Sequence, residues 1–357
     1  MENLSRSGEA QHAPLTLALW QLLSQRAKKI SEVLAIKPQK FKVLITGANG
    51  FIGHALCSSL AKLGHHVVAT SRNSLSSELK GKGIELRLQQ NLTFFEDLRL
   101  FEGVDCVVHL AGRAHDLKGS SPESKSAFLQ ANSETTDKLS QAASLCGVKR
   151  FIFLSSIGVH GNNSGERPFS EKSALTPHNS YAHSKLMAEK YLVETCRASS
   201  LDAVIFRPPL VYGPGVKGKF LSMLGWLRRG IPLPLGAIHN QRSLVGIDNL
   251  IDLIVTCIDH PAAANQTFLV SDGEDISTAQ LLRRMSKALD KPARLFPLPT
   301  SLLQLGANLI GKQDIAHGLL GDLRVDISHT KKVLNWTPRF SVDEELKRTA
   351  EWYLSQK

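Results

Sequence analysis

The chain reads as an α/β protein, a doubly wound parallel sheet with a smaller mixed C-terminal substrate lobe. Three observations predict this. Short apolar runs of strand type alternate with helical stretches from Phe41 onward, a pattern that forces crossover connections and buries a parallel sheet on both faces. Glycines stand at 47, 50 and 53 between the first such run and the first helix. Polar residues able to carry chemistry gather at the carboxyl ends of the runs, where open α/β sheets bind ligands.

The elements follow in chain order. Leu15, Leu19, Leu22 and Leu23, then Ile30, Val33 and Leu34, recur at helical spacing, which predicts a helical N-terminal extension over 1–40 with one or two amphipathic helices between 14 and 36. Leu15 to Leu23 has no basic segment before it, is followed by Arg26, Lys28 and Lys29, and is too short to span a bilayer, so it is not read as a signal. Its apolar face is free to dock on the domain, on another subunit in a homodimer, or on a membrane surface. Phe41 to Thr46 is the first strand, and Ala55 to Ala61 continues as helix beyond the glycines. His66 to Thr70, Cys106 to Leu110 and Arg150 to Leu154 are further strands, the last ending at Ser155 and Ser156. A first domain is therefore expected over 41–206, its sheet completed by parts of 241–264, with 207–240 and 265–357 mainly in the smaller lobe. Ser301 to Gly311 is apolar but again shorter than a span, and reads as a helix, a lid or an apolar contact surface of that lobe.

Within this frame the motifs point to redox chemistry. Gly47 permits a tight turn, Gly50 lets the backbone approach a pyrophosphate and Gly53 allows close packing of helix on strand. The helix N-terminus then faces phosphates, so 41–206 is expected to be an NAD(P)-binding Rossmann domain. Tyr181 and Lys185 stand four apart in Ser180-Tyr181-Ala182-His183-Ser184-Lys185, on one face of a helix. The Lys185 ammonium is expected to lower the Tyr181 phenol from its usual value of about 10. Tyr181 would then exchange a proton near neutral pH, a hydroxyl from Ser155 or Ser156 would hold the reacting carbonyl oxygen, and a nicotinamide would give or take hydride.

Five stretches in order carry a resemblance: Thr46 to Gly53, Val108 to Gly112, Ser180 to Lys185, Arg207 to Gly215 and Leu334 to Pro338. Over about residues 41 to 357 the chain resembles the extended short-chain dehydrogenase/reductases of the NAD-dependent epimerase/dehydratase family. The resemblance implies a C-terminal lobe closing over a nucleoside diphosphate sugar, with Ser156 as the catalytic hydroxyl beside Tyr181 and Lys185. It places Gly47, Gly50, Phe51, Ile52, Gly53, Ser71, Arg72, Asn91, Ala111, Gly112, Lys185 and Pro208 on the cofactor. Ser156, Tyr181 and Arg242 fall on the substrate, the last at its diphosphate.

Departures from the family pattern narrow the activity. Dehydrating members carry Asp-Glu directly after the catalytic hydroxyl, whereas Ile157 and Gly158 stand here and neither moves a proton, which argues against 4,6-dehydration. Ser71-Arg72 occupies the turn where NAD enzymes place a carboxylate for the ribose, and suits a 2'-phosphate. That tilts the cofactor to NADP over NAD, and the activity slightly to reduction of a UDP-linked 4-keto sugar over 4-epimerisation of a UDP-hexose. A non-catalytic dinucleotide sensor is the remote third reading.

Composition excludes several other classes. The net charge of +11 is spread over isolated basic pairs with no interleaved aromatics, which suits anionic small molecules better than nucleic acid. The five cysteines are widely spaced with no Cys-x-x-Cys, so they read as free thiols in a reducing, cytoplasmic setting. None of the thirteen histidines has metal-site spacing, and no metal is expected. No stretch is long enough for an integral membrane span. His109 and His160 sit near strand ends, packed beside the cofactor or touching substrate.

Overall fold

The computed structural model describes residues 39–79, 82–89, 98–113, 122–309, 311 and 318–356. Asn91 and residues 1–38 of the N-terminal extension lie outside them.

Seven strands form one parallel sheet: β1 (Lys42–Thr46), β2 (His66–Ser71), β3 (Glu85–Leu88), β4 (Cys106–His109), β5 (Arg150–Leu154), β6 (Asp202–Arg207) and β9 (Gln266–Leu269), in the order β3-β2-β1-β4-β5-β6-β9. A smaller sheet joins β7 (Leu210–Tyr212), β8 (Arg242–Gly246) and β10 (Asp275–Ile276), with β8 central, parallel to β7 and antiparallel to β10. Alternation along the strands builds two cores. Val43 and Ile45 join Leu56 and Leu60 of α1 (Phe51–Lys62) on one face; Leu44 joins Val107, Phe151 and Leu192 on the other. Period-two side chains of a strand covered on both sides require this.

The strand that completes the large sheet is Gln266–Leu269, not part of 241–264. Arg242–Gly246 pairs with β7 in the small sheet, and Ile247–Thr256 is a helix, α6, with Ile247, Leu250, Ile251 and Ile254 buried. Their spacing of three and four is helical, and α6 packs against α1 as cover for the sheet. The chain then returns to lay Gln266 beside Val204 of β6.

Register positions the site. Thr46 aligns with Thr70 and His109, His109 with Phe153, and Leu154 with Phe206, so the carboxyl ends of β1, β4, β5 and β6 open along one edge. The other helices are α2 (Pro122–Phe128), α3 (Thr135–Leu145), α4 (Ser180–Arg197), α5 (Gly218–Arg228), α7 (Thr278–Ala288), α8 (Thr300–Leu309), α9 (Ser328–Leu334) and α10 (Val342–Ser355). The small lobe has its own core, with Phe220, Leu244, Leu282 and Leu346 at its centre. Among the described residues no helix is long and apolar enough to cross a membrane.

Candidate active site

The glycine turn is shaped by contact with the neighbouring strand end. Gly47 has φ +77°, and a Cβ there would stand 2.8 Å from the Ala111 nitrogen. A Cβ on Gly53 would stand 2.2 Å from the Gly47 carbonyl oxygen. Gly50 donates its N–H to that same carbonyl at 2.9 Å and begins α1 with no side-chain cap and no acid in the first turn. The first amides of α1 are thus left to an anion. Phe51 packs on the cores of both sheets, and Ile52 on that of the large one.

The β2 turn is tied to this loop. Asn49 donates to the Ser71 hydroxyl at 2.8 Å and to the Ser74 carbonyl at 3.0 Å, and the Ser71 oxygen also accepts from Asn73 N–H at 3.3 Å. Arg72 is exposed.

At the end of β4, Thr46 Oγ1 accepts from Ala111 N–H at 3.2 Å and lies 2.6 Å from His109 Nδ1. The Thr46 hydroxyl, with one proton and two lone pairs, can either donate to Nδ1 or accept from it while keeping the Ala111 bond. His109 is fully buried beside Phe151 and Phe153, and desolvation, with Lys185 nearby, pushes its pKa down to about 3. It is a neutral packing residue. A Cβ on Gly112 would meet Asn132 Oδ1 at 2.9 Å and Lys185 Nζ at 3.5 Å, so the bare backbone there makes room for both.

Ser155 and Ser156 are separated by the alternation of extended chain. The Ser155 hydroxyl is buried and donates to Glu189. Glu189 also receives Arg207 Nε at 3.0 Å and Nη2 at 2.6 Å. Arg207 Nη1 donates to His160 Nε2 at 3.0 Å, and the other ring nitrogen of His160 lies 3.1 Å from the Ala174 carbonyl. His160 is therefore a buried, neutral member of a charge network, held down by desolvation and by Arg207. Ser156 instead faces the open edge. Its oxygen accepts Gly158 N–H at 3.1 Å, and it is near enough to Tyr181 to draw the phenol's pKa down. Pro208 is brought alongside, because its carbonyl accepts Ile157 N–H at 2.9 Å.

Tyr181 and Lys185 lie in the first turns of α4, whose N-cap Asn179 accepts Ala182 N–H at 2.8 Å. The expected electrostatics are corrected here. Burial pushes the Tyr181 phenol up to about 12, opposed by the nearby Ser156 hydroxyl. Lys185 does not enter into this shift; its Nζ donates to the Leu154 carbonyl at 2.8 Å and lies 4.5 Å from the centre of the Phe153 ring. Burial draws its own pKa down to about 8, against the pull of Glu189.

Asn132 was not found from sequence. It lies in a π turn, Leu129–Glu134, joining α2 to α3, a distortion that recurs at functional sites. Buried, it accepts Arg113 N–H at 2.8 Å, donates to the Arg113 carbonyl at 3.1 Å and donates to Ser184 Oγ at 2.9 Å. It thus locks the strand-β4 loop to the Tyr181–Lys185 helix. The available signal was a buried-type asparagine inside a helical stretch, where its side chain competes with the backbone.

Arg242 makes no hydrogen bond to Ser156, Tyr181 or Lys185; half-buried at the start of β8, it donates Nη1 to the Gly321 carbonyl at 3.0 Å. Among the described residues no cluster of His, Cys, Asp or Glu could hold a metal, and all five cysteines are free.

Residues 43–271 match the model of the NAD dependent epimerase/dehydratase family. The chain belongs to that family. Its members are enzymes of the extended short-chain dehydrogenase/reductase type, in keeping with the sheet and the site edge above. The chain is similar to the UDP-glucose 4-epimerase of Vibrio cholerae, 44% identical over 314 residues that cover 87% of this chain and 95% of that one. Its fold is similar to that of UDP-glucose 4-epimerase from Thermotoga maritima, solved with UDP-glucose (TM-score 0.70, 22% identity, 88% and 99% of the two chains). It is also similar in fold to WbmH of Bordetella bronchiseptica, solved with NAD+ (TM-score 0.71, 20% identity, 89% and 100%).

Proposed function

We propose that this protein is a UDP-hexose 4-epimerase that keeps NAD bound through turnover. The observation that carries the reading is the 44% identity, over nearly the whole of both chains, to the Vibrio cholerae UDP-glucose 4-epimerase. The geometry supports it. Ser156 and Tyr181 stand together at the sheet edge, with Lys185 one helical turn on from Tyr181, and Ile157 and Gly158 offer no group for eliminating water.

In this reading the turn at Gly47, Gly50 and Gly53 and the amides of α1 hold the pyrophosphate. Lys185, Ala111, Gly112 and Pro208 line the nicotinamide end. A bound nicotinamide supplies hydride transfer and, when oxidised, a positive charge that favours the tyrosinate. Tyr181 takes the proton of the sugar C4 hydroxyl and later returns it, while Ser156 orients the C4 oxygen. Arg242 faces the diphosphate.

The lean to an NADPH-using 4-keto-sugar reductase is not carried forward. It rested on Ser71 and Arg72; the Ser71 oxygen accepts from Asn49 and Asn73 and keeps its proton to donate, so this turn does not decide the cofactor, and the lean yields to the 44% identity with a 4-epimerase.

The test is incubation with UDP-glucose, and separately UDP-N-acetylglucosamine, without added cofactor. The expected result is formation of the galacto epimer with no net nicotinamide reduction and release of NAD on denaturation. Stoichiometric consumption of NADPH with a UDP-4-keto sugar, and no epimer, would establish the reductase instead.

A further inference from the structure

The smaller lobe carries an exposed apolar face. Helix α8 has no buried residue. Leu302, Leu305 and Leu309, spaced three and four apart along one stripe, are 52%, 55% and 79% exposed. The segment leading into α8 is hydrogen-bonded along residues 233–236. Leu233 N–H donates to the Arg294 carbonyl at 2.9 Å, and Phe296 N–H donates to the Leu233 carbonyl at 3.1 Å. Exposed Phe296 and Arg294 are thereby set beside exposed Ile231, whose N–H donates to the carbonyl of Trp226 at 3.1 Å. Trp226 is exposed too, and with Arg229, Trp352 and Tyr353 it rims a surface cavity of about 550 Å³. α8 begins four residues after Phe296, so its stripe follows this cluster along the chain, and large apolar side chains grouped on a surface mark a contact site.

Charge says what covers it. The segments of this face, 226–236 and 291–309, contain no Asp or Glu, and the exposed acids that flank it are Asp290 and Glu351. Arg229, Lys291 and Arg294 are exposed within the face. A second copy meeting the same face would press these cations together. An anionic bilayer attracts each of them, while leucine and aromatic side chains settle at the headgroup boundary. We infer that this face of the smaller lobe docks on an anionic phospholipid surface, with Phe296 and the α8 leucines entering the interface and Arg229, Lys291 and Arg294 against the headgroups.

The full-length protein, without substrate, is sedimented with vesicles of phosphatidylcholine alone or mixed with phosphatidylglycerol. The expected result is partition about tenfold greater onto the anionic vesicles, weakening as salt rises. The variant Leu302→Ser/Leu305→Ser/Leu309→Ser should lose that partition about tenfold with unchanged melting temperature, because the three side chains are already in solvent. Arg229→Gln/Arg294→Gln should lose the preference for anionic lipid. Equal binding to both vesicles, or a leucine variant that binds as wild type, overturns the inference. So does a wild-type dimer that the leucine variant turns into a monomer, which would assign the face to a second copy.

Discussion

On the β1–β4 side of the sheet edge the site is shaped by backbone, with glycines at 47, 53 and 112 set where any Cβ would strike a neighbour. On the β5–β6 side it is shaped by charge. There a buried Glu189–Arg207 pair holds Ser155 and His160 and leaves Ser156 and Tyr181 facing out. At Gly47 and Gly53 the first side cannot adapt, because the contacts are peptide atoms; at Gly112 they are the Asn132 and Lys185 side chains. The second can be rebalanced by changing partners, because its order comes from pairing. Substitutions should therefore fail sterically on one side and electrostatically on the other.

The largest expected effect is at Gly53. Gly53→Ala puts a methyl about where the Gly47 carbonyl lies, and no flexible side chain can yield. We expect a stability loss on the order of 3 kcal/mol and loss of cofactor, read by thermal melting and by nicotinamide content. A stable, cofactor-bound Gly53→Ala protein would break the backbone half of the comparison.

Next is Glu189→Gln, which leaves Arg207 buried without its counter-charge at a cost of about 3–5 kcal/mol. The paired change Glu189→Met/Arg207→Leu should recover much of that loss in denaturant titration. If the double variant is as unstable as the single, pairing is not what orders this side.

A smaller effect of opposite sign is expected at Glu345, in the smaller lobe. It is fully buried, neither oxygen completes a hydrogen bond of ordinary geometry, and Gly246 is bare where it packs. Burial, with Asp248 and Asp272 adding, lifts its pKa from 4.5 to about 8, against Arg348 and the Asn249 amide. A carboxyl raised on folding favours the native state least where the unfolded chain is ionised. Stability from this group therefore falls as pH rises from about 4.5 to about 8 and is flat above. Glu345→Gln should stabilise the protein by roughly 1–2 kcal/mol at pH values above 7 and hardly at all near pH 4.5, as melting curves across pH would show. A variant less stable at neutral pH would mean that the carboxylate is paired.

Much of this was legible because it is local. Glycines between a strand and a helix, and Tyr181 four residues before Lys185, are short-range patterns that fix turn and face directly. The seventh strand was misplaced because Ile247–Thr256 is apolar enough to suit either a buried strand or a covering helix, and only its spacing and the pairing of β8 with β7 separate them. The roles of Ser155 and Ser156 depend on Glu189, 34 residues on from Ser155, a distance over which sequence gives no geometry. The π turn at Asn132 and the rise of the Tyr181 pKa are likewise tertiary. The first is held by Ser184 and Arg113; the second is set by burial, which a spacing of four does not report.

The central claim is that Tyr181 moves the proton at an otherwise preassembled cofactor site, and turnover of Tyr181→Phe on UDP-glucose, with bound nicotinamide measured on the same sample, tests it most directly. The account predicts turnover lowered by a factor on the order of 100 or more with cofactor content unchanged. Near-normal turnover by a cofactor-loaded Tyr181→Phe protein would contradict it.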